Sequence, residues 1–414
     1  MNILYVCPYT PTSIRTRPYN LIHTLARRGH AVTLATLWEN ADELKTLRDW
    51  EENGVKVISA PLTKRQVGVN AAMAFASGVP LQSMYCWQPE LVRKIETHIA
   101  SGAPIDLIHV EHLRGARYGL HLKEKVAKRI QIVWDSVDCI SYLFEQAAQA
   151  SQDWFGRWVT RFELGRTRQH ESWLVRQFNQ TLVTAEQDKQ AFAELERTLQ
   201  HRNSFESERV TVLRNGVALS YFSPSDAPRD SKTIIFTGKM SYHANVTAAW
   251  CLLNDIMPRV WESIPDARAQ IVGYKPPRKL LDAQNKNPDR VAITGSVPDI
   301  RPYLAKATVA VAPILYGTGI QNKVLEAMAM QTPVVAMPKA TSALSARVNE
   351  DFLLGNDPDQ VACQIIQLLS HPALATRVGQ AGRRYVETQH DWTRITEQLE
   401  SIYTKTITND SVRP

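Results

Sequence analysis

Residues 307–337 read ATVAVAPILYGTGIQNKVLEAMAMQTPVVAM. The β-branched run ATVAVAPI ends near Pro313, and a loop carrying Gly317 and Gly319 follows. NKVLEAMAM then has the helix formers and apolar spacing of an α-helix, and a proline-led run, TPVVAM, opens another strand. A helix that starts just after flexible backbone leaves N–H groups unpaired, and such groups attract anions. Gly317 and Gly319 let the backbone approach phosphate oxygens closely, with the amides of Ile320, Gln321 and Asn322 pointing at them. Lys323 falls in the first helical turn, where the helix dipole disfavours a cation, and an anion between them resolves the conflict. The plain alternative for Lys323 is a solvated surface lysine. The expected ligand is a diphosphate.

Outward from this stretch the same alternation recurs. TIIFTGKM, ARAQIVGY and RVAITGSV precede it as strand-like runs separated by helix-compatible segments. In the first half, ILYVC, AVTLATL, VKVISA, IDLIHVE and IQIVWD are nearly unbroken apolar runs, as in strands of a parallel sheet covered on both faces. NLIHTLARRG between the first two has Leu21 and Leu25 at helical spacing and a closing Gly29. The alternation pauses at RVTVLRNGVALSYFSPSDAPRDSK, where Asn215-Gly216 is a turn signal and the Ser/Pro/Asp cluster is loop-like. The expected architecture is α/β, two Rossmann-like domains facing each other across a cleft, with ligands beyond the carboxyl ends of the strands. The expected boundaries are 1–215, 216–389 and a C-terminal helix and tail at 390–414. Trp392, Ile395, Leu399 and Ile402 share one face of that helix, which is expected to pack back on the N-terminal domain.

The chain has 414 residues, 44% hydrophobic and 21% charged, ordinary values for a globular protein. No stretch is long and apolar enough to span a bilayer. MNILYVCPYT reads as a first buried strand and not a signal peptide, so cytoplasmic residence is expected. Five dispersed cysteines with no CxxC pair argue for reduced thiols rather than a disulfide frame or zinc site. The net charge is +7, part of it in RWVTRFELGRTRQHESWLVRQF, with five arginines against two glutamates. A solvated helix face with ion pairs explains this run. Attraction to an anionic acceptor or the inner membrane surface is the sharper reading. No nucleic-acid-binding module accompanies the charge, so nucleic acid is not an expected partner.

LARRGHAVTLAT, the linker phrase RNGV, the turn FTGKM and the block GTGIQNKVLEAMAMQTPVVA together resemble glycosyltransferase family 4, a GT-B-type group. The similarity is nearest to the sugar transferases of bacterial exopolysaccharide clusters. It covers nearly the whole chain and is strongest from Arg214 to Pro333. The resemblance implies a nucleoside-diphosphate sugar as co-substrate, no other cofactor, and transfer to a hydroxyl acceptor with retention and without metal. The acceptor would be a saccharide, a lipid-linked molecule or a small metabolite. In the family, the glutamate matching Glu326 accepts hydrogen bonds from the ribose hydroxyls, a task suited to an acceptor-only carboxylate. The early-helix position is also one the dipole favours for any glutamate.

Two positions depart from the family pattern. Thr318 stands eight residues before Glu326, where a glutamate contacting the donor sugar is commoner. In FTGKMSYHAN, Lys239 matches an arginine that reaches the diphosphate, but Ala244 stands where a lysine is usual, flanked by His243 and Asn245. Lys323 supplies the missing charge in this reading, and two lysines plus a helix N-terminus offset the charge of the leaving diphosphate. The expected donor contacts are therefore Gly238, Lys239, Asn245, Thr318, Gly319, Ile320, Gln321, Asn322, Lys323 and Glu326. Gly273 and the GSV at 295–297, with Val297, are expected to line the nucleobase site, mainly through backbone.

On the acceptor side, alternation places His109 and Glu111 of IDLIHVEHLRGARY on one strand face. Such a pair can orient or deprotonate a hydroxyl, or simply tie the strand end to the next helix. With Lys323 they are the catalytic candidates. His112 and Arg114 follow, and Arg15 and Arg17 of PYTPTSIRTRPYN would meet phosphate or an anionic acceptor, or form a plain surface loop. Asp138 and Glu186 are further cleft candidates, and the DSVD at 135–138 reads as a strand end rather than a metal pair. His30 reads as structural. Two other functions fit the same frame: a nucleotide-sugar-binding protein that has lost catalysis, and a nucleotide-sugar epimerase. Peripheral contact with the inner membrane is a further expectation.

Overall fold

The structure, a computed structural model, describes residues 1–13, 15–126, 130–150, 154–200, 209–225, 228–316 and 320–410. It divides into two compact units, Met1–Arg214 with Trp392–Pro414, and Asn215–Asp391.

The first unit is a seven-stranded parallel sheet of β1 (Asn2–Cys7), β2 (Ala31–Trp38), β3 (Lys56–Pro61), β4 (Leu107–Glu111), β5 (Gln131–Val137), β6 (Gln180–Val183) and β7 (Val210–Val212). Their order across the sheet is β3-β2-β1-β4-β5-β6-β7. The apolar runs that mark β1, β4 and β5 are buried along nearly their whole length, as strands covered by helices on both faces must be. The helix Thr16–Arg27 sets Leu21, Ile22 and Leu25 against the sheet and ends where Gly29 takes a left-handed φ of 88°. There the N–H of His30 reaches back to the carbonyl of Leu25 (3.1 Å), the closing turn that a glycine permits.

The helix Trp392–Asp410 belongs to this unit. Trp392, Ile395, Leu399 and Tyr403 are buried on one face, and Ile402 is half-buried. Its polar ties are Tyr403 Oη to His109 Nδ1 (2.7 Å), Glu400 to His30 (2.8 Å) and Glu400 to Arg28 (2.7 Å). His30, whose Nδ1 also meets the Met1 amino group at 3.1 Å, is thus structural.

The second unit repeats the pattern with six parallel strands, β8 (Thr233–Thr237), β9 (Arg268–Val272), β10 (Val291–Ile293), β11 (Val309–Ala312), β12 (Val334–Ala336) and β13 (Leu353–Leu354). Their order is β10-β9-β8-β11-β12-β13. Each sheet reverses direction once, between β1 and β4 in the first and between β8 and β11 in the second. At such a switch point the two strand-end loops part and leave room for a ligand beyond the carboxyl ends. Each unit has its own apolar core, built on Leu4, Val6, Ile108 and Trp134 in the first and on Phe236, Ile271, Val311 and Leu325 in the second.

Candidate active site

At the switch point of the second sheet, β8 ends at Thr237 in the turn Gly238-Lys239, and β11 ends at Ala312 before the helix Asn322–Ala329. Asn245 joins the two. Buried in the helix His243–Cys251, it accepts a hydrogen bond from Lys323 Nζ (2.9 Å) and donates one to the Lys239 carbonyl (3.0 Å). Gln321 Oε1 accepts a second hydrogen bond from Lys323 (3.1 Å). An ammonium has three donors, so one is left among the described residues. Its two partners are neutral, and the Phe236 ring centroid lies 5.5 Å from the nitrogen. Burial pulls the lysine down to about 8, with nearby Glu326 opposing the shift.

Glu326 is half-buried, and its carboxylate accepts no hydrogen bond among the described residues. Part of its surface still faces solvent, yet the protein packed around it pushes its carboxyl up to about 7, with Lys323 pulling the other way. The N-cap residue Gln321 makes no side-chain hydrogen bond to the start of this helix. A cation, a helix start that the Gln321 side chain does not cap and a carboxylate with no hydrogen bond among the described residues therefore lie together at the carboxyl end of the sheet. Perturbed groups of this kind concentrate at functional sites. The set suits a ligand with an anionic part for the lysine and helix start and hydroxyl donors for the glutamate.

The turns after β8, β9 and β10 are packed as a unit. The N–H of Gly238 donates to the Val272 carbonyl (3.0 Å), and that of Gly273 to the Gly295 carbonyl (3.1 Å). A Cβ on Gly273 would lie 1.7 Å from the Gly238 carbonyl oxygen, so only glycine fits. The sequence reading gave Gly273 a nucleobase contact. Its evident physical constraint is this backbone approach. Lys239 is exposed, Ile320 is buried in the core, and Val297 is half-buried against it. Thr318 and Gly319, with Gly317, lie outside the described residues. The sequence reading also missed Tyr316, whose hydroxyl meets His243 Nδ1 and, at 3.1 Å, Thr247 Oγ1. A tyrosine directly before the glycines was the available signal.

In the first unit the expected His109–Glu111 pair does not form. Glu111 accepts hydrogen bonds from Tyr5 (2.6 Å) and Tyr9 (2.9 Å). His109 bonds to Tyr403, stacks on Tyr5 (4.2 Å between ring centroids) and faces Asp135 at 3.6 Å. His109 has no exposed surface and Glu111 retains 1%, so neither meets a substrate hydroxyl in this arrangement. Burial draws His109 down to about 4 and lifts Glu111 to about 7. Arg17, expected at a ligand, turns inward. It pairs with Asp135 (2.8 Å) and donates to the Leu213 carbonyl (3.0 Å). Removing one partner of such a buried pair typically costs about 3–5 kcal/mol.

Arg15 keeps partial exposure, lying over the Tyr9 ring (4.7 Å) and beside Glu43 (3.4 Å). His112, at the end of β4, has a left-handed φ of 64°, uncommon for a side-chain-bearing residue, and its Nδ1 accepts from the Arg114 N–H (3.2 Å). Arg114 bonds to Gln82 (2.8 Å). Asp138 accepts from Thr184 (3.3 Å), and burial raises its carboxyl. Glu186 is exposed. Among the described residues no group of three or more His, Cys, Asp or Glu is placed to hold a metal ion. Of the acceptor-side candidates, Arg15, His112, Arg114, Asp138 and Glu186 keep some surface.

Residues 231–371 match the family model for glycosyl transferases group 1. The second unit is a group 1 glycosyltransferase domain. Lys323 and Glu326 of this glycosyltransferase domain both fall inside the match. Among curated proteins, the chain is 29% identical over 193 residues to phosphatidyl-myo-inositol mannosyltransferase of Mycobacterium leprae, covering 44% of this chain and 49% of the relative. It is 22% identical over 249 residues to the lipopolysaccharide core biosynthesis mannosyltransferase LpcC of Rhizobium leguminosarum, covering 56% and 66%. The aligned region thus spans half to two thirds of these relatives. Among solved structures, sucrose-phosphate synthase from Thermosynechococcus elongatus superposes with a TM-score of 0.69 at 18% identity, over 99% of this chain and 100% of the other. Anabaena HepE in complex with UDP and glucose gives 0.65 at 15% identity, over 98% and 100%. These neighbours share the two-sheet α/β fold of GT-B glycosyltransferases.

Proposed function

We propose that the protein transfers a hexosyl group from a nucleoside-diphosphate sugar to a hydroxyl acceptor, with retention and without a metal ion. The observation that carries this reading is Lys323, a half-buried ammonium at a helix start with two neutral partners. A diphosphate supplies the missing counter-charge, and Glu326 then accepts the ribose hydroxyls. As the bond from sugar C1 to the diphosphate oxygen breaks, negative charge builds on the leaving group. Lys323, exposed Lys239 and the helix amides offset that charge most strongly in the transition state. The acceptor oxygen bonds to C1 on the same face, and its proton passes to the departing diphosphate.

The acceptor class we favour is a lipid-linked saccharide in exopolysaccharide assembly, met at the inner membrane. The helix Lys64–Ser77 supports this placement. Its Val69, Met73 and Phe75 are exposed, Phe75 by 72%, with Lys64 and Arg65 at its start. Apolar side chains beside cations suit the interface of an anionic bilayer.

The relatives' mannosyl activity and the UDP and glucose of HepE set the first donor panel, mannose- and glucose-bearing nucleotide sugars. Release or transfer of sugar from any panel member supports the proposal. Tight nucleotide binding with no sugar release, whatever acceptor is supplied, would leave a binding module. Isomerisation of the donor alone would mark an epimerase.

A further inference from the structure

We propose that the second unit carries another ligand site, a surface groove that holds an anionic saccharide chain, independent of the transfer reaction above. The groove has a volume of about 200 Å³ and is lined by Trp250, Trp261, Asn254, Asp282, Lys279 and Lys286, among others. One wall is the helix Arg278–Lys286, on which Lys279, Asp282, Ala283 and Lys286 share a face at helical spacing. The other wall is the end of the helix His243–Cys251 and the widened π turn Leu252–Ile256. Pro258 cannot donate a backbone hydrogen bond, which accounts for the widening, and the turn gives the groove Leu253 and Asn254.

Its chemistry is mixed in a specific way. Trp250 keeps 38% of its surface exposed. The electron-rich face of an indole meets the slightly positive C–H face of a pyranose ring, and Asn254 and Asp282 can exchange hydrogen bonds with ring hydroxyls. Cations stand beside both indoles. Lys279 Nζ lies 5.1 Å from the Trp250 centroid, and Arg290 lies 5.6 Å from that of Trp261. Among the described residues, Lys279, Lys286 and Arg290 have no carboxylate within ion-pair distance. An apolar ring face with unpaired cations at its rim complements a sugar that carries a carboxylate. A lipid surface is a poorer match, because the amides and carboxylate in the groove would lose water without gaining partners.

The position sets this groove apart from the diphosphate site. Val291 opens β10, and Trp261 donates through Nε1 to the carbonyl of Ala267, just before β9 (2.9 Å). The groove thus lies at the amino ends of these strands, while Gly238, Gly273 and Gly295 follow the carboxyl ends. A uronic-acid-bearing chain and a nucleotide can therefore be bound together.

The test is titration of the full chain with an oligogalacturonate, followed by tryptophan fluorescence. A neutral maltooligosaccharide of equal length and anionic phosphatidylglycerol vesicles are titrated in parallel. The uronate is expected to bind in a salt-sensitive manner. Trp250→Ala and the double variant Lys279→Ala/Lys286→Ala should each weaken it by about tenfold, leaving circular dichroism and nucleoside-diphosphate binding unchanged. No uronate binding, equal binding of the neutral chain, indifference to both variants, or binding to vesicles alone would each overturn the proposal. The nucleotide titration is a separate arm, so loss of the transfer reading is recognised independently.

Discussion

Lys323 is a cation that its own helix disfavours, and burial disfavours it further. With the lysine lowered to about 8 and Glu326 raised to about 7, both groups are mostly charged together only between those two values. Nucleoside-diphosphate affinity is therefore expected to peak between pH 7 and 8. Above the peak the lysine loses its proton and the diphosphate its counter-charge. Below it the glutamate gains a proton and becomes a weaker acceptor for the ribose. Calorimetry across pH should show both limbs, with Lys323→Met lacking the alkaline one. At the peak this variant should bind about 10- to 100-fold more weakly, corresponding to loss of a charged hydrogen bond worth about 1.5–3 kcal/mol.

The stability of the same site runs opposite to its function. The folded-state pKa of Glu326 lies above the usual carboxyl value, so its stabilising contribution is complete at acid pH and is lost as pH rises through about 7. Glu326→Gln is expected to melt above the wild type at pH 8, with a smaller difference at pH 5, while binding nucleotide more weakly. A melting temperature unchanged at both pH values would contradict the assigned burial. Both residues were legible in the sequence because the NKVLEAMAM spacing sets them on one helix face. The roles of His109, Glu111 and Arg17 were not. Strand alternation gives a shared face but not the partners, and these came from distant positions: Tyr5 and Tyr9, Asp135, and Tyr403 in the last helix.

Among the elements, most strands were visible in the sequence, the three-residue β10 and β12 included, because they lie in the apolar runs RVAITGSV and TPVVAM. β6, β7 and β13, of four, three and two residues, were not read as strands. The arginine-rich helix was read as either a solvated face or an anion-attracting one. Its Glu171 is instead buried, accepting the N–H groups of Ile140 (2.8 Å) and Ser141 (2.9 Å) at the start of the helix Ile140–Ala150. No local pattern distinguishes such a carboxylate from a surface one. The glycine turns lead to a sharper expectation. Gly273→Ala forces its new methyl group onto the Gly238 carbonyl, so the β8 and β9 turns must separate. A loss of about 1–3 kcal/mol in chemical denaturation is expected, together with weaker nucleotide binding. Wild-type stability in this variant would show that the turns are not held as described.

For the molecule as a whole, repetition of one strand order in two units explains why the fold was readable from alternation alone, and each unit's switch point directs attention to a strand-end loop. Surface function was less legible, because the net charge of +7 does not say where a partner binds. The exposed side chains of the helix Lys64–Ser77 are the contact proposed above, and they yield a concrete expectation. Phe75→Ser should reduce co-sedimentation with vesicles containing anionic lipid while leaving nucleotide affinity intact, and undiminished sedimentation would remove this helix as the contact.

The central claim is tested most directly by a crystal structure of the full chain bound to a nucleoside diphosphate. The diphosphate is expected within hydrogen-bond distance of Lys323 Nζ and the first-turn amides of the helix Asn322–Ala329, with the ribose hydroxyls on the Glu326 carboxylate. A nucleotide lodged elsewhere, or one whose diphosphate lies away from that helix start, would contradict it.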